Sequence, residues 1–338
     1  QWPDEGRVRQ AVFKGLREDK PARAVGRERA APADPPPPRT RRVSNASRLI
    51  DPASGATKGE LADYYARVAG LMLPHLRDRP VALLRAPDGI AGTMFFQKHA
   101  EAKQMPGLTL LDRALDPGRA PLLAIDSAEA LAVAAQMNVV EIHTWNATVR
   151  TLGQPDRMVF DLDPGEGVGW REVVEAAQLV HGLLDALGLI AFLKGSGGKG
   201  LHVVVPLTPR DDWATVKDFS HAVVRHLAAH AGQRFVARSG PKNRVGRIFV
   251  DYLRNSRGAT TAAAFSARAR PGLGLSLPLA WDELPGLAGP GLASIRTSTS
   301  RLEAAAATWR DYFTTRQTLA QAMKTLRLPR PRSAKVAG

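Results

Sequence analysis

The chain has 338 residues, 44% of them apolar, no cysteine, and a formal charge of +15. That length suits one large domain or two modest ones with a buried core, and the absence of thiols excludes a disulfide scaffold and any thiolate metal site. The basic balance favours a polyanionic partner, nucleic acid first, over a plain solubility charge or basic tail; no apolar run approaches the roughly 18 residues of a membrane span.

Residues 1–25 are basic and polar, and Pro35 to Pro38 precede Arg39, Arg41 and Arg42. Successive prolines favour polyproline II and join neither a helix nor a central strand, so 26–42 reads as a linker and folding is expected from Val43. Glu60 to Leu73 has helical spacing, with Leu61, Tyr64, Tyr65 and Val68 on one side. Val81 to Arg85 reads as a strand. Asp126 and Glu129 resemble a capping box opening a helix from Ala128 to Met137. Val139 to Trp145 and Met158 to Asp163 read as strands, the second stopped by Pro164-Gly165. Arg171 to Leu187 is an amphipathic helix with Val173, Ala177, Val180 and Leu184 inward. Two strands, Leu189 to Lys194 and His202 to Leu207, flank Gly195 to Gly200. A helix across Ala214 to His230, a strand from Arg247 to Leu253 and a helical stretch from Leu302 complete a mixed α/β order with hairpins as well as crossovers.

The chemistry gathers in three places. Asp161 and Asp163 are two apart on a strand and share a face. Carboxylates that close repel unless a cation lies between them, and Mg²⁺ prefers oxygen ligands. Asp251 adds a third acid to the otherwise apolar Ile248-Phe249-Val250, where a lone buried charge is costly. The plain alternative is a turn at Asp163-Pro164-Gly165 and a salt-bridge partner at Asp251. The second place, Gly195-Ser196-Gly197-Gly198-Lys199-Gly200, has G-x-G-x-x-G spacing but is followed by strand-like Leu201 to Pro206. A dinucleotide site needs a helix there, and a P-loop needs Ser or Thr after Lys199. A hairpin tip with free N–H groups can still cradle phosphate, with Ser196, Lys199 and His202 as donors, or be merely flexible. Third, the histidines: His143 reads as a core imidazole on a strand. His221, His226 and His230 read as ordinary helix residues, although His226 and His230 have i,i+4 spacing.

With these residues in view, the chain resembles the polymerase module of bacterial DNA ligase D, of the archaeo-eukaryotic primase superfamily, from about Arg42 to about Pro331. The resemblance rests on Phe160-Asp161-Leu162-Asp163-Pro164, Ser196 to His202 and Phe249 to Asn255, supported by Phe95 to His99 and Ile142 to Trp145. It implies a primase-polymerase fold with a mixed or antiparallel catalytic sheet flanked by helices. It implies two Mn²⁺ or Mg²⁺ ions on Asp161, Asp163 and Asp251. Contacts to the triphosphate of an NTP or dNTP come from Ser196, Lys199, Gly200, His202 and Arg268, with Arg244 and Arg254 alongside. His143 lies near the sugar and phosphates, and Phe95 or its neighbour Phe96 stacks on a base. Arg48 and Lys58 grip a downstream 5′-phosphate. The implied work is non-homologous end joining: templated and non-templated addition of (ribo)nucleotides at DNA ends, gaps and primer-templates. The implied partners are Ku and the ligase and phosphoesterase modules of a longer cytoplasmic, nucleoid-associated polypeptide. Phe13 to Lys20 looks like the end of a ligase's OB domain, so 1–25 reads as its remnant and 332–338 as a tail. The chain also starts without Met, which suggests a piece of a longer protein. A primer-independent primase, or a non-catalytic DNA-binding adaptor, stays open beside this reading.

Overall fold

A computed structural model describes residues 43–328. The expected OB remnant, the linker and the tail lie outside these residues.

The chain enters through strands β1 (Leu49–Asp51) and β2 (Ala56–Thr57) and helix α1 (Lys58–Leu76). A full capping box starts α1: Thr57 accepts from Glu60 N, and Glu60 accepts from Thr57 N. Strands β3 (Val81–Arg85), β4 (Phe95–Gln97), β5 (Thr109–Leu110) and β6 (Leu123–Ala124) follow. Then come α2 (Ala128–Gln136) and the long strand β7 (Val139–Trp145). The cap of α2 is Ser127, whose Oγ accepts from Ala130 N, and not Asp126. Asp126 instead accepts from Thr109 Oγ1, so the cap moves on by one residue and the expected box does not form, because Ala130 stands at its third position.

The second half runs β8 (Arg157–Pro164), α3 (Trp170–Ala186), β9 (Phe192–Gly195), β10 (Leu201–Pro206), α4 (Trp213–His230), β11 (Phe235–Val236) and β12 (Ile248–Asp251). It ends with β13 (Thr260–Ala262), β14 (Pro278–Leu279), α5 (Thr299–Ala307) and α6 (Ala320–Thr325). Three expected boundaries move. Leu189 lies in the turn that closes off α3, because Gly188 takes φ +74° and Leu189 N donates back to Leu184 O, a helix-ending motif that needs a left-handed residue. The strand expected to reach Leu253 stops at Asp251, whose own carboxylate accepts from Leu253 N and turns the chain into a short 3₁₀ segment. The helix expected from Leu302 is two short helices separated by a turn that carries Trp309 and Tyr312.

Two six-stranded sheets result. One has the order β11-β12-β8-β10-β9-β14, all pairs antiparallel except β11 with β12. The other has the order β13-β7-β3-β6-β5 with β4 on β3, entirely antiparallel. Each buries an outer face under helices. Phe160, Leu162, Val203 and Val250 of the first sheet share a core with Val173 and Val180 of α3 and Phe219 and Val223 of α4. Leu83, Val140 and Ile142 of the second pack with Tyr65 and Val68 of α1 and Leu131 of α2. The inner faces meet each other: Arg157 of β8 reaches Thr144 of β7, and Lys194 of β9 reaches Ala262 of β13. The mixed, largely antiparallel sheet flanked by helices is the expected class. Among the described residues no helix is long and apolar enough to cross a membrane.

Candidate active site

Strand register builds the site. Lys194 pairs with His202, His202 with Asp161, and Asp161 with Asp251, so four polar side chains form one rung across β9, β10, β8 and β12. Paired residues point to the same face of a sheet, and here that face is the inner one. Asp163 lies one alternation further along β8, opposite Phe249. Asp161, Asp163 and Asp251 each offer an oxygen within 4.8 Å of the others, the one such convergence of acids or histidines among the described residues.

Their electrostatics fit a cation. Burial raises the pKa of Asp163, and Asp161 beside it raises it further, against Arg244. Burial likewise raises Asp251, with Arg254 opposing and Asp161 adding to the rise. Asp161 goes the other way: burial opposes its ionisation, but His202, Arg254 and Lys194 outweigh that and hold it below the usual carboxylate range. Arg254 Nε stands 3.2 Å from Asp161 Oδ2 and 3.1 Å from Asp251 Oδ2, and Arg244 Nη1 stands 3.1 Å from Asp163 Oδ2. Three crowded carboxylates, two of them resisting ionisation, make a hard-oxygen donor set for divalent cations. The salt-bridge reading of Asp251 holds as well, through Arg254, and its carboxylate also caps the segment ahead of it.

The glycine hairpin folds against this rung. Gly200 is required, because a Cβ there would sit 2.1 Å from Leu162 O. Gly197 takes φ +69°, a glycine conformation. The tip is less free than a bare nest. Ser196 Oγ accepts from Gly198 N at 3.1 Å and Gly200 N at 3.3 Å, so those two amides are spent on holding the turn. Lys199 is exposed at the tip. A cleft of about 310 Å³ is lined by Asp161, Asp163, Ser196, Gly198, Lys199, Gly200, His202, Arg244, Arg254, Arg268 and Arg270. Its volume is within the range of small-molecule sites, and its guanidinium and ammonium groups suit phosphate oxygens. Arg270 lines this cleft although no sequence motif marked it.

Linked to the cleft through Glu141 and Arg268, the second sheet adds His143, which is buried and not merely a core filler. Its Nε2 lies 2.6 Å from Glu141 Oε2, and Glu141 also accepts from Ala269 N at 2.8 Å and faces Arg268 Nε at 3.0 Å. Burial opposes the charge on Glu141, but His143 and Arg268 bring its pKa down to about 2. Burial also lowers His143, with Glu141 opposing. Glu141 thus holds His143 and Arg268 together, and its neighbours on the strand gave no hint of it. The two phenylalanines alternate on β4. Phe95, 42% exposed, lies against the Arg85 guanidinium, whereas Phe96, 54% exposed, meets the His143 ring edge-on at 5.3 Å. The ring beside His143 is therefore Phe96, because strand alternation turns the two apart.

Arg48 and Lys58 sit apart from this cleft, at β1 and the first turn of α1. Lys58 is only 3% exposed, and burial, then the nearby Arg48, lowers its pKa. Arg48 donates to Pro87 O and Asn138 Oδ1, and its Nε has no partner. Neither residue forms an ion pair among the described residues. His221 stacks on Tyr252, and His226 stacks on His230, as ordinary helix residues do.

The model for the LigD primase-polymerase domain matches residues 57–309. Multifunctional non-homologous end joining protein LigD of Pseudomonas aeruginosa is 53% identical over 336 residues, covering 94% of this chain and 40% of that protein. Its namesake from Mycobacterium tuberculosis is 34% identical over 250 residues, 72% of this chain and 33% of that one. Among solved structures, the polymerase domain from Mycobacterium tuberculosis ligase D in complex with DNA superposes with a TM-score of 0.71 at 32% identity. The match covers 79% of this chain and 99% of that one. The chain therefore spans less than half the length of these curated relatives.

Proposed function

The chain belongs to the LigD primase-polymerase domain family, and we propose that it is the nucleotidyltransferase that extends a primer 3′-hydroxyl at DNA ends and gaps during non-homologous end joining. The observation that carries this reading is the convergence of Asp161, Asp163 and Asp251 beside a cationic, phosphate-sized cleft. The polymerase domain is residues 43–331. The relatives it matches are more than twice as long, and ligase and phosphoesterase modules, with Ku, are its partners in the bacterial cytoplasm.

Asp161, Asp163 and Asp251 would hold two divalent cations, Mn²⁺ or Mg²⁺. When bound, these supply a positive field that acidifies a primer hydroxyl and neutralises a triphosphate. Oxygen ligands accept either metal. Arg244, Arg254, Lys199 and Arg268 receive the phosphate oxygens of an incoming NTP or dNTP, their fixed forks replacing lost hydration. Ser196 and Gly200 keep the hairpin in register so that His202 faces the same phosphates. His143, anchored by Glu141, meets the sugar. Phe96 offers its exposed face to a base, a sequence-tolerant contact. Lys58 and Arg48 form a second anion site, because two adjacent cations with no carboxylate partner among the described residues are relieved by a phosphate between them, here the 5′-phosphate of the downstream strand.

Incorporation of labelled nucleotide into a gapped duplex, with and without Mn²⁺, tests the proposal. Metal-dependent extension is expected, and binding of DNA without extension would leave only an adaptor. Products formed on a template lacking any primer would instead make the chain a primase.

A further inference from the structure

Lys194 belongs to no sequence motif, yet it is the most enclosed cation near the aspartates, 3% exposed on the inner face of β9. Its Nζ lies 2.6 Å from Ser276 Oγ, 2.8 Å from His202 Nδ1 and 3.0 Å from Ala262 O. Ala262 is the register partner of His143 in the other sheet. One amine therefore touches both sheets. On the far side of the same imidazole, His202 Nε2 lies 3.2 Å from Asp161 Oδ1.

A neutral imidazole has one N–H and one lone pair, and its neighbours decide which nitrogen carries the proton. Lys194 Nζ, a donor, lies 2.8 Å from Nδ1, which calls for a lone pair on that nitrogen and so for the neutral ring. Were the proton on Nδ1, the Nε2 lone pair would face the carboxylate of Asp161, two acceptors at 3.2 Å, and an N–H would point at an amine that needs acceptors. With the proton on Nε2, both contacts are donor to acceptor. Burial, Arg268 and Arg157 push Lys194 well below the usual lysine range, with Asp161 opposing. Charged or neutral, an amine has an N–H left for Nδ1 after serving Ala262 O.

We propose that Lys194 is a positioning residue that fixes His202 as the Nε2–H tautomer, aiming that N–H along the rung at Asp161 and the phosphate end of the cleft. It also ties the aspartate-bearing sheet to the strand beside His143. The phosphate end rests on the polymerase reading, but the tautomer does not.

Nitrogen-15 NMR of the full chain, labelled at histidine, reads the tautomer directly, with His202→Gln assigning the resonances. In the wild type His202 should show a protonated Nε2 and an unprotonated Nδ1 shifted upfield by an accepted hydrogen bond. In Lys194→Met that Nδ1 signal should move downfield, toward a bare lone pair. A protonated Nδ1 in the wild type overturns the proposal, and this spectrum needs no variant of Lys194 to fold. An Nδ1 signal unmoved in Lys194→Met also overturns it. In primer extension, Lys194→Met should raise the nucleotide KM about tenfold, the size of one lost hydrogen bond to a functional group. It should add nothing in a His202→Gln background, because residues acting through one another are not additive. Additive losses would place Lys194 outside the His202 pathway.

Discussion

The two sheets have the same number of strands but carry their polar inner faces differently. In the sheet of β8, β10, β9 and β12, function lies along a single rung, where Lys194, His202, Asp161 and Asp251 are set side by side by hydrogen-bond register. In the sheet of β7, β3 and β13, the functional side chains follow one strand. Glu141 and His143 are spaced by two on β7, and Glu141 reaches out to a loop at Arg268 and Ala269. Burial of this wall raises the pKa values of Asp163 and Asp251, and the charge of Asp161 on the rung adds to both. A single strand instead disperses charge, and Glu141 is fully compensated. The first arrangement suits a wall that must attract cations, and the second suits a wall that must only orient.

That contrast can be broken in order of expected effect. Asp161→Ala or Asp251→Ala should lower primer extension at least about 1000-fold, since removing a metal ligand removes the charge stabilisation of the whole transfer, while circular dichroism shows the fold intact. Full activity in either would end the metal assignment. Glu141→Gln, on the orienting wall, should raise the nucleotide KM about tenfold with a smaller change in kcat; a loss as deep as that of the aspartates would erase the distinction between the walls. Away from both, Lys58→Ala and Arg48→Ala should each cut the preference for a 5′-phosphorylated gap about tenfold, the scale of one charge-assisted bond. If phosphorylated and unphosphorylated gaps respond alike, that site is not a phosphate grip. Phe96→Ala should weaken extension about fivefold, as loss of one stacked base does, and Phe95→Ala less; the reverse order would mean that the ring on the Arg85 side is the one that stacks.

The smallest effect concerns stability. Asp163 has its pKa raised by burial and by Asp161, so its charged form is disfavoured in the folded state. A neutral Asn in its place should therefore stabilise the metal-free protein at pH 7, by about 1–3 °C in melting temperature. Added Mn²⁺ should reverse the order, because only the wild type keeps its full ligand set. A melting temperature lowered in metal-free buffer would show that Asp163 is held by its bond to Arg244 rather than strained by its neighbours.

Much of this was legible in the sequence where the signal is local. The β8 aspartates share a face because strands have period two, and the glycine hairpin was marked by its own composition. Asp251 stood out as an acid in an otherwise apolar strand, and the family motifs supplied the arginines. What stayed hidden depends on distant pairing. Lys194 precedes the hairpin in an unremarkable Phe192-Leu193-Lys194, and its partners are 8, 68 and 82 residues away. Glu141 looked like one polar residue in a strand until Arg268 and Ala269 arrived from 127 residues or more downstream. The choice between Phe95 and Phe96 turned on which face of β4 the second sheet presents, and no local pattern encodes that. The end of β12 was misjudged for a related reason. The Asn255 side chain donates to Val159 O and accepts from Val159 N, and so stands in for the backbone of a strand that has already stopped.

The rung has a bearing on how the chain assembles. Side chains alternate along a strand, so a slip of one residue between β8 and β10 would send every inner residue outward. The aspartates would enter the oily layer against α3 and α4, and Phe160 and Leu162 would line the cleft. Burying several uncompensated charges costs many times the net stability of a domain, so such a misaligned intermediate cannot persist. The same residues that limit stability in the finished molecule thereby act as a checksum on its strand alignment, rejecting wrong pairings long before any nucleotide is bound.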